Sequence, residues 1–230
     1  GEAQLSDIHT LMNQPAVMLA TAQTKWAVRE VLKVSGIQDV SAESFPANYI
    51  EVNDDSGREK IYVSLNEIRN PDTENRLNPL APWKFTDRPD VTSAEKKQVD
   101  EVSIDWGETK TVFKWIPTEK HWARYKENAP SLDAEGITID TQNLVVQFVR
   151  YSLSNELDRQ GERIPVFEAD VGIGEAWIFN GSSRLEAVWS KDNLTAPTVF
   201  SDKQGNIVQF SRGSSWVLLA KSGSATILEK

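Results

Sequence analysis

The side chains able to do chemistry in this chain are few in kind. It has no cysteine, two histidines and thirty-four acidic residues. Without a thiol there is no cysteine nucleophile, no disulfide and no thiolate metal centre in the residues as given. His9 falls on an early amphipathic segment and His121 in a tryptophan-rich one, with no Asp or Glu at metal-ligand spacing beside either. Both read as surface or packing residues, and neither a metal nor a cofactor is expected. Acid–base work is left to carboxylates. Asp105, Glu108, Asp133, Asp170 and Glu175 could supply a pair for glycoside hydrolysis, which needs one carboxyl as proton donor and one as base or nucleophile. Asp133 is the first of these to test.

The common catalytic signatures are missing. Gly172-Ile173-Gly174 lacks the third glycine and the following helix of a dinucleotide fingerprint, so it reads as a turn or bulge before a strand. No Walker loop, zincin motif or Gly-x-Ser-x-Gly elbow occurs. Asn-x-Ser/Thr triplets at Asn180 and Asn193 fall where turns are expected and mark exposure only.

Aromatic residues are the richer signal. Six of the eight tryptophans, Trp106, Trp115, Trp122, Trp177, Trp189 and Trp216, lie beyond residue 100. Such rings stack on sugars and peptides, yet they also anchor cores. Most read as core; Trp106, Trp115 and Trp189 read as exposed.

Charge narrows the partners. A net charge of -9 repels phosphate backbones at long range, and the basic pair Lys96-Lys97 is too small to override it, so no nucleic-acid partner is expected. The apolar runs 16–20 and 216–220 are far shorter than the roughly 20 residues a spanning helix needs. The opening residues resemble no export signal, so any such signal or lipid anchor would lie upstream of Gly1.

These residues must be positioned by two kinds of element. Leu5, Ile8, Leu11 and Met12 recur at helical spacing, 16–21 suits a buried strand, and Val28, Val31 and Leu32 mark a second helix after an N-cap at Thr24 that Gly36 ends. A hairpin follows, 49–52 with 61–63 around an Asp-Asp-Ser-Gly turn, then a capping box from Ser64 to Glu67. Pro71, Pro79, Pro82 and Pro89 mark a crossing segment to which Trp83 and Phe85 are anchors. Beyond Val99 the pattern alternates: a hairpin turns at Gly107, 143–151 reads as a central strand, and short strands recur to residue 228. The expectation is an α+β protein, with a small α/β lobe over 1–90 and a larger, mainly antiparallel β domain over 91–230.

One resemblance rests on ordered motifs. Arg124-Tyr125, then Pro130-Ser131-Leu132-Asp133 and Asn143-Leu144-Val145-Val146-Gln147, are followed by Gly172, Gly174, Trp177, Phe179, Gly181, Trp189 and Lys191, and then by Thr198, Phe200, Gly205, Gly213 and Trp216. In that order they resemble the C-terminal domain of the YerB-like lipoproteins, a family of bacterial envelope proteins without a known reaction. Residues 7–40 resemble the later part of that family's N-terminal domain. Ser131 stands where the family has histidine, and Glu59-Lys60-Ile61-Tyr62-Val63 replaces its Pro-His-Asn-Leu-Tyr. The resemblance implies an extracytoplasmic protein, lipid-anchored or secreted, rather than a chemistry.

The combined reading is a non-catalytic envelope protein whose β domain binds a cell-wall glycan, peptide or protein. The candidate ligand-binding surface combines Trp106, Trp115, Arg124, Tyr125, Asp133, Asn143, Trp189 and Lys191. Two alternatives stand beside it: a carbohydrate-active hydrolase with paired carboxylates, and a structural scaffold of an envelope complex that offers a strand edge.

Overall fold

The structure is a computed structural model that describes residues 2–3, 5–11, 18–21, 23–24, 26–33, 35, 37–53, 57, 59–64, 83–87, 98–107, 109–126, 128–157, 161–194 and 196–229. The chain divides into two compact units, residues 1–81 with 193–197 and residues 82–192 with 198–230.

The first unit is built from short pieces: β1 (Glu2–Ala3), α1 (Leu5–Leu11), β2 (Met18–Leu19), β3 (Gln23–Thr24), α2 (Trp26–Leu32), β4 (Gln38–Asp39), a 3-10 turn at Pro46–Asn48, β5 (Tyr49–Asn53) and β6 (Glu59–Val63). Strands β1 and β3, and β2 and β4, pair in parallel, while β5 and β6 form the expected antiparallel hairpin. Ile8, Val28, Leu32 and Ile37 are buried together with Leu11, Leu19 and Val31 against them, so the helical stripes read from the sequence do face one another. Thr24, expected to cap α2, belongs instead to β3. The Ser64–Glu67 capping box, most of the Asp-Asp-Ser-Gly turn, Gly36, Lys96-Lys97 and the four prolines of the crossing segment lie outside the described residues.

The second unit carries β7 (Lys84–Thr86), β8 (Val99–Asp105), β9 (Lys110–Ile116), β10 (His121–Lys126), β11 (Ala129–Pro130), β12 (Asp140–Thr141), β13 (Asn143–Leu157), β14 (Arg163–Glu168), β15 (Gly172–Asn180), β16 (Ser183–Lys191), β17 (Val199–Asp202), β18 (Gln209–Ser211), β19 (Ser215–Lys221) and β20 (Ala225–Glu229). One sheet runs β11-β10-β9-β8-β20 with β12 on β10; the other runs β14-β13-β15-β16-β17 with β19 on β13. Because β15 and β19 both pair with Asn143–Gln147, they flank β13 on opposite sides.

The second sheet is buried on both faces. Leu144 and Val146 point into a core shared with Val102, Ile104, Phe113 and Trp122 of the first sheet. Val145 and Val149 point the other way, to Trp189, Phe200 and Phe210. That is why 144–149 is apolar at every position but Gln147 rather than alternating. Trp83 stacks on Phe210 with ring centres 4.8 Å apart and donates its indole N–H to the Thr198 carbonyl at 3.0 Å, as an anchor should.

The α+β expectation is overturned. Among the described residues the molecule is mostly β, with 60% in strands against 7% helical, in several antiparallel sheets with two small helices. The cause is length: each helical pattern of the first lobe supports only seven residues, whereas strands such as β13, with fifteen, carry the second. Pairing also departs from a pure antiparallel meander, since β13–β19 and β7–β18 are parallel.

Candidate functional site

Strand β13 changes partners midway. Up to Val149 it pairs with β19, and up to Gln147 with β15; from Arg150 onward it pairs with β14. Where partners change, the sheet opens into two adjoining hollows of about 420 and 740 Å³ that share Tyr151, Lys221 and Ser222. Asp105, Trp106 and Phe167 line the smaller; Arg150, Glu168, Ile173, Glu175 and Trp189 line the larger.

The wall of this cleft is an edge-to-face run of rings. Trp106 meets Phe167 with centres 5.7 Å apart at 84°, and Phe167 meets Tyr151 at 5.3 Å and 68°. Tyr151 and Phe167 are direct cross-strand partners of the β13–β14 hairpin, a pairing that brings aromatic rings together on one face. The Trp106 indole N–H donates to Thr111 Oγ1 at 3.0 Å, which fixes its ring. Lys221 places its ammonium 5.2 Å from the Tyr151 ring centre. Arg150 Nε pairs with Glu168 at 3.0 Å, and Ser152 donates to the same carboxylate at 3.2 Å. Two apolar side chains stand open among the charges at its mouth, Ile173 at 75% exposed and Tyr151 at 40%.

Only two of the eight sequence candidates line this cleft. Trp106 lies in its wall. Trp189 is also there, but it is not the exposed ring that was expected: it is 3% exposed. Its direct partner across the β15–β16 ladder is Gly174. A Cβ on Gly174 would come within 2.5 Å of the indole Nε1, and the missing side chain leaves room for that N–H to donate to the Phe148 carbonyl at 2.8 Å. The Gly-x-Gly therefore serves to seat a tryptophan. Lys191, on the same strand, is 1% exposed. Burial pushes its ammonium below the usual lysine pKa, with the nearby Asp170 carboxylate acting the other way.

The other five candidates are scattered and engaged within the fold. Trp115 packs on Trp122 at 5.5 Å, and Tyr125 has Lys114 over its ring at 4.9 Å. Arg124 lies over Trp216 at 5.7 Å and donates to Ser131 Oγ at 3.1 Å. Asp133 accepts the backbone N–H groups of Glu135 and Ile137 at 2.9 and 2.8 Å, as a turn cap does. Asn143, fully buried, donates to the Ser211 and Ser214 carbonyls and to Ser215 Oγ, and accepts the Ser211 N–H at 2.8 Å. It pins the start of β13 to the β18–β19 connection.

Among the carboxylates, Glu108 lies outside the described residues, while Asp105 and Glu175 line the cleft. Asp105 accepts the Gly107 N–H at 2.8 Å. His121 has two carboxylates against it, Glu119 two residues back at 3.2 Å from Nε2 and Asp140 of β12 at 3.7 Å from Nδ1. They address opposite ring nitrogens, so the trio cannot chelate one ion. Among the described residues no group of three or more His, Cys, Asp or Glu could hold a metal. The sequence reading missed Tyr151, Phe167, Lys221, Arg150 and Glu168.

Comparison with known proteins bears on this unit. The family model described as "Protein of unknown function (DUF3048) C-terminal domain" matches residues 102–217, which include Trp106, Tyr151, Phe167 and Trp189. The solved structure of the YerB protein from Bacillus subtilis is similar in fold, with a TM-score of 0.70 at 14% identity, over 99% of this chain and 75% of that one. No curated protein matches.

Proposed function

Given that the chain belongs to the DUF3048 family of proteins of unknown function through its C-terminal domain, we propose that it is an extracytoplasmic, non-catalytic binding protein that holds a cell-wall saccharide or peptide in the cleft beside Tyr151. The observation that carries this reading is the Trp106–Phe167–Tyr151 run, three rings in contact along the wall of an open hollow. Ring faces of this kind take the apolar face of a sugar or a peptide side chain, and the flanking charges orient it. An extracytoplasmic place agrees with the cysteine-free chain and with the resemblance to envelope lipoproteins.

The cleft is a poor hydrolase. A two-carboxylate mechanism wants one carboxyl held neutral in an apolar pocket. Glu168 is instead engaged by the Arg150 guanidinium at 3.0 Å and by the Ser152 hydroxyl at 3.2 Å, and Glu175 is exposed, so neither sits in an apolar pocket. For the scaffold reading, β20 pairs with β8 alone among the described strands, and Leu228 on it is exposed, so an edge of the required kind exists.

The test is intrinsic tryptophan fluorescence and calorimetry with soluble cell-wall glycan and muropeptide fragments, on the wild type, Tyr151→Ala and Trp106→Ala. Saturable binding weakened about tenfold or more in both variants, with ligand recovered unchanged, is expected. Binding untouched by either substitution sinks the cleft as the site.

A further inference from the structure

Building on that reading of the cleft, we infer that its ligand carries a carboxylate and that Lys221 is the residue that reads it. The charges of the cleft are unequally committed. The Arg150 guanidinium is taken by Glu168 at 3.0 Å. Lys221 is exposed and forms no ion pair within 4.0 Å among the described residues, although Asp105 lines the same hollow. Its ammonium is held instead over the Tyr151 ring, 5.2 Å from the centre.

That placement is set by the backbone. Lys221 is the register partner of Val149 at the last rung of the parallel β13–β19 pair, two residues before Tyr151 on the neighbouring strand. The turn that follows closes with the Ser224 N–H and hydroxyl both donating to the Lys221 carbonyl, at 3.0 and 2.8 Å. The residue is thus anchored by its main chain while its ammonium stays open to solvent and to a ligand. A half-open ring with a cation held over it fits a saccharide or peptide unit that presents an apolar group next to a carboxylate, the apolar group against the open part of Tyr151 and the carboxylate on Lys221. Asp105 and Glu175 carry the opposite charge in the same hollows; they suit hydroxyl and amide donors on the rest of the ligand, and they disfavour a second acid group.

The experiment compares two soluble ligands of equal length by calorimetry: a neutral β-1,4-linked N-acetylglucosamine oligomer, and the same oligomer with a lactyl carboxylate on one of its sugars. The expected result is binding about tenfold tighter for the acidic glycan, a preference that falls with added salt, is lost in Lys221→Met and returns in Lys221→Arg. If both ligands bind alike, or if the preference survives Lys221→Met, the carboxylate assignment is wrong while the cleft remains a binding site. If neither ligand binds, and Tyr151→Ala changes nothing with muropeptides either, the cleft reading fails and this inference with it. Circular dichroism of each variant separates loss of binding from loss of fold.

Discussion

The two ends of one short stretch of β13 use polar and aromatic groups in opposite ways. At Asn143 every atom of the side-chain amide is engaged within the fold, and nothing faces solvent. Six to eight residues on, Val149–Tyr151 stand where the sheet parts, with a half-open ring and an exposed ammonium. The first end is built to be finished; the second is left unfinished. Buried polar groups must find partners inside the fold, so a fully satisfied one signals structure, whereas an aromatic kept in contact with water signals a ligand.

The largest test of that contrast falls on Trp189, which touches both regimes: it lines the cleft, yet it is buried and bonded to Phe148. Trp189→Ala is expected to lower the unfolding free energy by roughly 3 to 5 kcal/mol, the usual cost of emptying a large buried aromatic site. Equilibrium denaturation measures it. A stable variant with weakened ligand binding would instead move Trp189 to the open side of the comparison.

Next in size is the pin. Asn143→Ala removes the side chain that accepts the Ser211 N–H and donates to the Ser211 carbonyl, and a loss of roughly 1 to 3 kcal/mol is expected. Below its lowered melting point the variant should bind cleft ligands as the wild type does. Parallel melting and titration decide it; a destabilised protein with altered affinity at low temperature would show the two ends of β13 to be coupled.

These contrasts also explain what could be read from the sequence. The strands of the second unit were legible because alternation and β-branched runs report backbone geometry directly, and the doubly buried 144–149 run announced a central strand. Fold class was misjudged because two-turn helical patterns in the first lobe look like an α/β unit without supplying its helical mass. The site was largely illegible. Asn143, Asp133 and the glycines form ordered motifs since their polar or conformational roles are fixed by neighbours within the fold, so a motif-based reading selects the pins. Tyr151, Phe167 and Lys221 come from three separate strands and meet only through the β13–β14 and β13–β19 registers, which no single stretch of sequence contains.

The smallest effect sharpens the comparison through two lysines. Lys221 is exposed over a ring, and its replacement by Met should leave stability within about 0.5 kcal/mol. Lys191 is buried, and burial lowers its pKa from the ordinary 10.5 against the pull of Asp170. Between that lowered value and 10.5 the unfolded chain binds more protons at this position than the folded one, so Lys191 makes stability rise with pH across that window and weighs against the fold below it. Lys191→Met removes this dependence. Denaturant midpoints of wild type and Lys191→Met, measured from about pH 7 to about pH 10, should therefore shift progressively in favour of the wild type. A gap for Lys191→Met that does not change with pH would mean the buried amine keeps its proton as readily as a free one, and the line between a finished interior and an unfinished cleft would not pass between these two residues.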